Sequence, residues 1–216
     1  LHNPDRNEYW NNYYSRQTIA ELSVPSQFAA FVANEIKDAA FVVDIASGSG
    51  RDSFFFARYF PSVLGVDQAT SAIQRCRDLC EAHSVSNLRF ETVSAVDGAL
   101  AAAIRGLRAG GKTGAVLVYA RFFLHAITSE EEQKFFDALE AALEPGDHVA
   151  LEYRTIRDAS NVKSTPDHYR RFVQPSSVLT ALEARGFSVD YSVEGFGLAK
   201  YKQDDAYIAR SLHRKR

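Results

Sequence analysis

A glycine-rich turn set directly behind a β-branched run is the feature that most restricts what this chain can fold into. Phe41-Val42-Val43-Asp44-Ile45 has the composition of a strand buried on both faces, and it stops at Ala46-Ser47-Gly48-Ser49-Gly50. Arg51 to Phe60 then reads as a helix, and Ser62-Val63-Leu64-Gly65-Val66 as a second strand ending on Asp67. That order is one βαβ unit. Such units are almost always right-handed, so the turn and Asp67 come to the same edge of a parallel sheet, the edge where ligands bind.

The two glycines let backbone approach a ligand where a Cβ would intrude, and free N–H groups at the helix start point into the same space. Asp67 lies 23 positions after Asp44, close to the offset of about 20 at which an acidic side chain reaches a ribose diol. An ionised carboxylate only accepts hydrogen bonds, so it suits two hydroxyl donors. A nucleoside ligand is the expectation. The third glycine of a dinucleotide fingerprint is replaced by Ser53, which argues against NAD.

The stretch Asp44-Ile45-Ala46-Ser47-Gly48-Ser49-Gly50-Arg51-Asp52, followed by Leu64-Gly65-Val66-Asp67, resembles the first motif and the acidic strand end of class I S-adenosylmethionine-dependent methyltransferases. The resemblance implies a Rossmann-like, doubly wound α/β fold: a mostly parallel, seven-stranded sheet with an antiparallel closing hairpin. It also implies S-adenosyl-L-methionine as cofactor. The glycine turn, through Ala46, Gly48 and Gly50, would pass the cofactor's amino-acid end. Asp44 would help to hold its ammonium group, and Asp67, with Gln68 beside it, its ribose. The turn Ser94-Ala95-Val96-Asp97 occupies the place of the adenine contact, which puts Ala95 there, and Tyr119 ends a strand at the same edge.

Length and composition fit one domain, and the resemblance implies a single methyltransferase domain spanning 1–216, with an N-terminal helical lid over 1–40 and a substrate-side insertion over 155–175. A formal charge of −2 gives no general reason to bind nucleic acid. No apolar run is long enough to span a membrane, and the polar start is not a signal peptide, so the expected location is the cytoplasm. The sequence contains no methionine, which predicts that residue 1 is not the natural start. Cys76, Cys80 and His83 fall on one helical face but form a poor zinc pattern, and no metal is expected. Gly106 to Thr113 has Walker A spacing in an inverted context, helix before and strand after, so no phosphate loop is expected there.

The segment from Glu8 to Arg16 is dense in aromatics. In methyltransferases of this kind such a segment folds over the cofactor, which makes Tyr14 and Arg16 candidate contacts. Tyr119 to Ile127 leaves a fourth strand beside the topological switch, where acceptor and methyl meet, and Arg121 and His125 are expected in the following loop. Glu152 and Arg154 end a fifth strand at the same edge. The connection after it carries Lys163, His168, Tyr169, Arg170 and Arg171, in a loop too long for a simple turn. For a hydroxyl acceptor His125 is the expected base, with Glu152 orienting or assisting it. For an anionic acceptor Arg121, Arg154, Lys163, His168, Arg170 and Arg171 would position the anion, with Tyr169 among them as a further substrate contact.

Several short pieces, Arg121-Phe122-Phe123-Leu124-His125, Glu152-Tyr153-Arg154-Thr155, His168 to Phe172, and Gly197-Leu198-Ala199 before Asp204-Asp205, are similar to methyltransferases of bacterial surface-polysaccharide assembly, the O-antigen chain-terminating proteins among them. That resemblance implies a small-molecule or saccharide acceptor, with the cationic groups leaning towards an anionic or phosphorylated one. Two other classes stay open: a non-catalytic methyltransferase-like binding domain, and an NAD-dependent oxidoreductase.

Overall fold

In the computed structural model the described residues are 24–109, 111–161, 169–201 and 204–216. Helix α1 (Gln27–Glu35) begins on Ser26, whose Oγ accepts the Ala29 N–H, a side-chain cap for an otherwise unpaired donor. The first βαβ unit follows as β1 (Ala39–Ile45), α2 (Arg51–Phe56) and β2 (Ser62–Asp67). Helix α2 is shorter than expected because Pro61 disfavours helical backbone at Phe60, and residues 57–60 turn into β2 instead. Next come α3 (Thr70–Ala82), β3 (Leu88–Thr92), α4 (Ala99–Gly106) and β4 (Ala115–Arg121).

Helix α5 (Ser129–Ala142) opens with a capping box in which Thr128 and Glu131 satisfy each other's backbone N–H. The chain then forms β5 (His148–Arg154), α6 (Pro175–Glu183), β6 (Phe187–Gly195) and β9 (Ile208–Lys215). Between the last two, β7 (Lys200–Tyr201) and β8 (Asp204–Asp205) make a small separate hairpin.

The large sheet has the order β3-β2-β1-β4-β5-β9-β6, with parallel pairing from β3 through β5 and β9 antiparallel to both its neighbours. The fold is Rossmann-like and mostly parallel, closed by an antiparallel hairpin, as the sequence predicts. Alternation along the strands builds two cores. Phe41, Val43 and Ile45 of β1 face α4, α5 and α6 with Ile104, Phe135 and Leu182, while Val42 packs with Phe28, Phe56 and Ile73 of α1, α2 and α3. The chain reverses its winding between β1 and β4, so a crevice opens at their carboxyl ends.

The opposite edge of the sheet is closed by Asp147, whose carboxylate accepts the Val116 and Glu144 N–H groups, both at 2.8 Å, and Arg108 at 2.5 Å. The described residues of the Walker-like stretch, 106–109 and 111–113, lie at this edge, between α4 and β4, away from the crevice. Among the described residues, no helix is long and apolar enough to cross a membrane.

His213 on β9 is fully buried, with Nε2 2.9 Å from the Ser211 hydroxyl. Burial, only partly offset by Asp190, lowers its pKa from 6.5 to about 4. The fold therefore holds a neutral ring, whereas the unfolded chain takes up a proton below pH 6.5. Stability should fall as pH drops from 6.5 towards 4, by on the order of 3 kcal/mol from this group alone. His213→Leu should flatten that limb of a urea-denaturation profile; an unchanged slope would show that other groups set it.

Candidate active site

The crevice is built on the turn after β1. Ala46, Gly48 and Gly50 all have left-handed backbone, with φ of 54°, 54° and 76°, and the turn is tied by Ser47 N–H to Val66 O at 3.0 Å and Gly50 N–H to Ser47 O at 2.9 Å. A Cβ at Gly50 would lie 2.8 Å from the Phe90 ring and 3.0 Å from Cys76 Sγ. The bare α-carbon thus serves packing beneath the turn, rather than close approach by a ligand from above. Gly65 makes room for the same Phe90 ring, which a Cβ there would meet at 2.4 Å. Cys76 is fully buried and donates to Gly48 O at 3.5 Å; burial pushes its pKa up to about 12, so it is an inert support. Among the described residues no cluster of His, Cys, Asp and Glu is placed to hold a metal ion.

Two carboxyl groups flank the turn. Asp67 ends β2 and is nearly buried; one oxygen accepts the Gly48 N–H at 3.0 Å and the other the Ala69 N–H at 2.8 Å. Burial raises its pKa, opposed by these N–H groups and that of Gln68. Each oxygen keeps acceptor capacity for a hydroxyl. Asp44 is 3% exposed and takes a 2.5 Å hydrogen bond from Ser53, the residue that replaces the third glycine. Burial, then the charges of Asp52 and Asp67, push its pKa to about 8. No cation among the described residues lies within ion-pair distance of it, so a cationic ligand group set against it would favour the ionised form.

A third carboxylate, Asp52, anchors α1 to α2. It accepts the Ser26 N–H at 2.8 Å, the Ser26 hydroxyl at 2.7 Å and the Tyr119 hydroxyl at 2.8 Å. Burial opposes ionisation, but Arg121, Arg51 and the Ser26 bonds hold its pKa below the usual range. Tyr119, expected as a cofactor contact, is fully buried between Phe28 and Phe56 with its hydroxyl on Asp52; its side chain is part of the scaffold. Ala95 is likewise packed into the α4-side core, while Ala46 stands exposed on the turn.

The acceptor side is formed by the ends of β4, β5 and β9. Arg121 is the last residue of β4 rather than a loop residue, and His125 lies in a short 3-10 turn (Leu124–Ala126). Arg121 Nε donates to one oxygen of Glu152 at 2.9 Å, and Arg210 Nε of β9 donates to the other at 2.7 Å. Arg210 went unnoticed in the sequence, although a charge inside Ile208-Ala209-Arg210-Ser211-Leu212 is a usable signal. His125 is 6% exposed and its Nδ1 accepts the Arg154 N–H at 3.2 Å, an arrangement that puts the proton of a neutral ring on Nε2.

Two arginines expected to hold substrate instead hold the fold. Arg154 is buried, with one guanidinium nitrogen on Asp158 and another on Asp204, both at 2.6 Å. Arg171 binds Glu132, the Ile127 and Leu124 carbonyls and the Ser129 hydroxyl, which fixes the start of α5. Tyr169 is exposed and Arg170 partly so. Tyr14, Arg16, Lys163 and His168 lie outside the described residues, as does most of the expected N-terminal lid.

Residues 42–146 match the profile of the methyltransferase domain family. Over that stretch the chain carries a methyltransferase domain. Solved structures similar to this methyltransferase include a protein studied for conversion of a disulfide bond into a thioacetal group during echinomycin biosynthesis. It is 16% identical, with 97% of this chain and 92% of that one covered and a TM-score of 0.71. A SAM-dependent methyltransferase from Anabaena variabilis is 17% identical, with 98% and 94% covered and a TM-score of 0.69. Magnesium protoporphyrin IX methyltransferase from Synechocystis, with bound SAH, is 15% identical, with 88% and 80% covered and a TM-score of 0.61. At these identities the likeness is one of fold. No curated protein sequence matches.

The raised pKa of Asp44 has a definite sign. The protonated carboxyl is the form the fold prefers, so its contribution to stability is full below pH 3.8 and is lost as pH rises through about 8. Asp44→Asn, which keeps an acceptor for Ser53, should melt alongside wild type just below pH 3.8, with a gap that widens as pH rises and reaches several degrees at pH 9. An offset that does not change with pH would show that Asp44 is not a buried titrating acid.

Proposed function

We propose that this methyltransferase takes S-adenosyl-L-methionine as cofactor and transfers its methyl group to a small-molecule or saccharide acceptor that carries an anionic group. The observation behind the reading is the pair of buried carboxyls beside the left-handed turn, Asp67 and Asp44, at the reversal of winding between β1 and β4. The residues present fit the group. Asp67, already held by two backbone N–H donors, has lone pairs left for a ribose diol, and Asp44 is a buried acid with no cation at ion-pair distance among the described residues, suited to an amino-acid ammonium. Ser53, bonded to Asp44, stands where a dinucleotide fingerprint has a glycine for close helix–strand packing, which weighs against NAD.

Once bound, the cofactor supplies an electrophilic methyl carbon on a sulfonium. The protein's part is to hold the accepting atom in line with it and near contact distance. A hydroxyl acceptor would need a base, and the geometry of His125 offers no free lone pair: Nδ1 is engaged by the Arg154 N–H, and Nε2 then carries the proton. An oxygen that arrives ionised needs no base. This favours a phosphate or carboxylate acceptor over a neutral hydroxyl, although Arg154 and Arg171 are engaged elsewhere. A place in surface-polysaccharide assembly, in the cytoplasm, accords with such an acceptor and rests on the short matching stretches around Arg121, Glu152 and Gly197.

Calorimetric titration with S-adenosylhomocysteine, followed by a radiolabelled-methyl screen over sugar phosphates, glycans and carboxylic acids, tests the proposal. Binding should weaken by about tenfold or more in Asp67→Ala, the scale of losing charge-assisted hydrogen bonds. Wild-type protein that neither binds the homocysteine product nor labels any acceptor would overturn the reading.

A further inference from the structure

We infer that Arg121 and Arg210, held on the two oxygens of Glu152, form an anion subsite for the acceptor, with Phe122 as its apolar wall. This rests on the methyl-transfer reading and gives it a recognition element. The three charged residues are register partners across β4, β5 and β9, Arg121 opposite Glu152 and Glu152 opposite Arg210, so they form one row on one face of the sheet. The row stands two residues beyond Tyr119, whose partner on β1 is Asp44. It therefore borders the crevice on the side away from β2.

Two cations on one carboxylate leave an excess positive charge. A structural ion pair gains nothing from such an excess, because taking an additional charge out of water costs more than a shared partner returns. The contrast with Arg154 is direct, since there one guanidinium faces two carboxylates. Asp52 also faces Arg121, but it pairs with Arg51 as well, so counting both acids three arginines share two carboxylates and the excess remains.

The guanidinium geometry points the same way. Both arginines use Nε on Glu152, and Arg210 gives Nη2 to the Leu198 carbonyl. The two terminal nitrogens of Arg121 have no hydrogen-bond partner among the described residues, and its side chain is 22% exposed. A guanidinium anchored through Nε with its terminal nitrogens open is a preformed fork for a carboxylate or phosphate.

Phe122 supplies the wall. Its φ of 56° is a strained conformation for an aromatic residue, a kind of strain that concentrates at functional sites. The conformation is held by its N–H on Glu152 O at 2.7 Å and by packing of the ring with Leu198, Ala199, Ala206 and Ile208. The ring centroid lies 4.4 Å from the Arg121 guanidinium carbon. Apolar surface and open cation thus adjoin, which fits an oxyanion attached to a ring or other apolar body.

Phenyl phosphate and inorganic phosphate, titrated into the S-adenosylhomocysteine complex by calorimetry, test the inference. Wild type should bind phenyl phosphate more tightly than phosphate. Arg121→Gln and Arg210→Gln should each weaken phenyl phosphate by about tenfold or more, while affinity for S-adenosylhomocysteine stays within about threefold. Arg210→Lys, which keeps the charge and protects against a folding failure, should recover part of the loss. No phosphate binding by wild type, or equal binding by the Gln variants, overturns the inference. So does loss of S-adenosylhomocysteine affinity in Arg121→Gln with phosphate binding intact, which would give Arg121 to the cofactor. Wild type that binds phenyl phosphate but not S-adenosylhomocysteine would support the anion subsite and overturn the methyl-transfer reading instead.

Discussion

The carboxylate of Asp67 is the constraint on which the rest of the crevice depends. One oxygen holds the turn after β1 through the Gly48 N–H, and the other holds the entry to α3 through the Ala69 N–H. A single side chain therefore fixes the ends of two neighbouring strands and the start of a helix. The group proposed to recognise a ribose is thus already oriented by bonds that the fold makes for itself. Preorganisation of this kind lowers the ordering cost of binding. Beneath it, Phe90 fills the space over Gly65 and against Gly50, so the turn rests on a packed aromatic ring.

Charge around the crevice is sorted by how completely each group is paired. Asp52, Asp147, Arg154 and Arg171 each make several bonds to other parts of the chain and act as fasteners. Asp44 and the Arg121–Glu152–Arg210 row are different: the first is a buried acid with no cation at ion-pair distance among the described residues, the second has one more cation than anion. These two imbalances sit on either side of the switch between β1 and β4. A zwitterionic cofactor end and an anionic acceptor would meet complementary groups there, with the reacting atoms between.

The order of strands and helices was legible because it is written locally. Val42-Val43, Val63-Leu64 and Val116-Leu117-Val118 alternate between two cores, and a glycine turn or a Thr128-type cap marks where the chain changes direction. The acidic pair was legible for the same reason, Asp67 ending a β-branched run and Asp44 standing next to last in one. The ion pairs were not. Arg121 and Glu152 are 31 residues apart, and Glu152 and Arg210 are 58 apart, so only the assembled sheet brings them into one row. Arg171 sits in a polar stretch that reads as a substrate loop, yet its guanidinium is taken up by the start of α5. The two-residue strands β7 and β8 carry no periodicity to read.

A crystal structure of the protein with S-adenosylhomocysteine bound tests the central claim most directly. The account predicts both ribose hydroxyls within hydrogen-bond distance of the Asp67 carboxylate and the amino group against Asp44, with the Gly48 and Ala69 bonds to Asp67 retained. A nucleoside seated elsewhere, with Asp67 touching only its backbone partners, would contradict it.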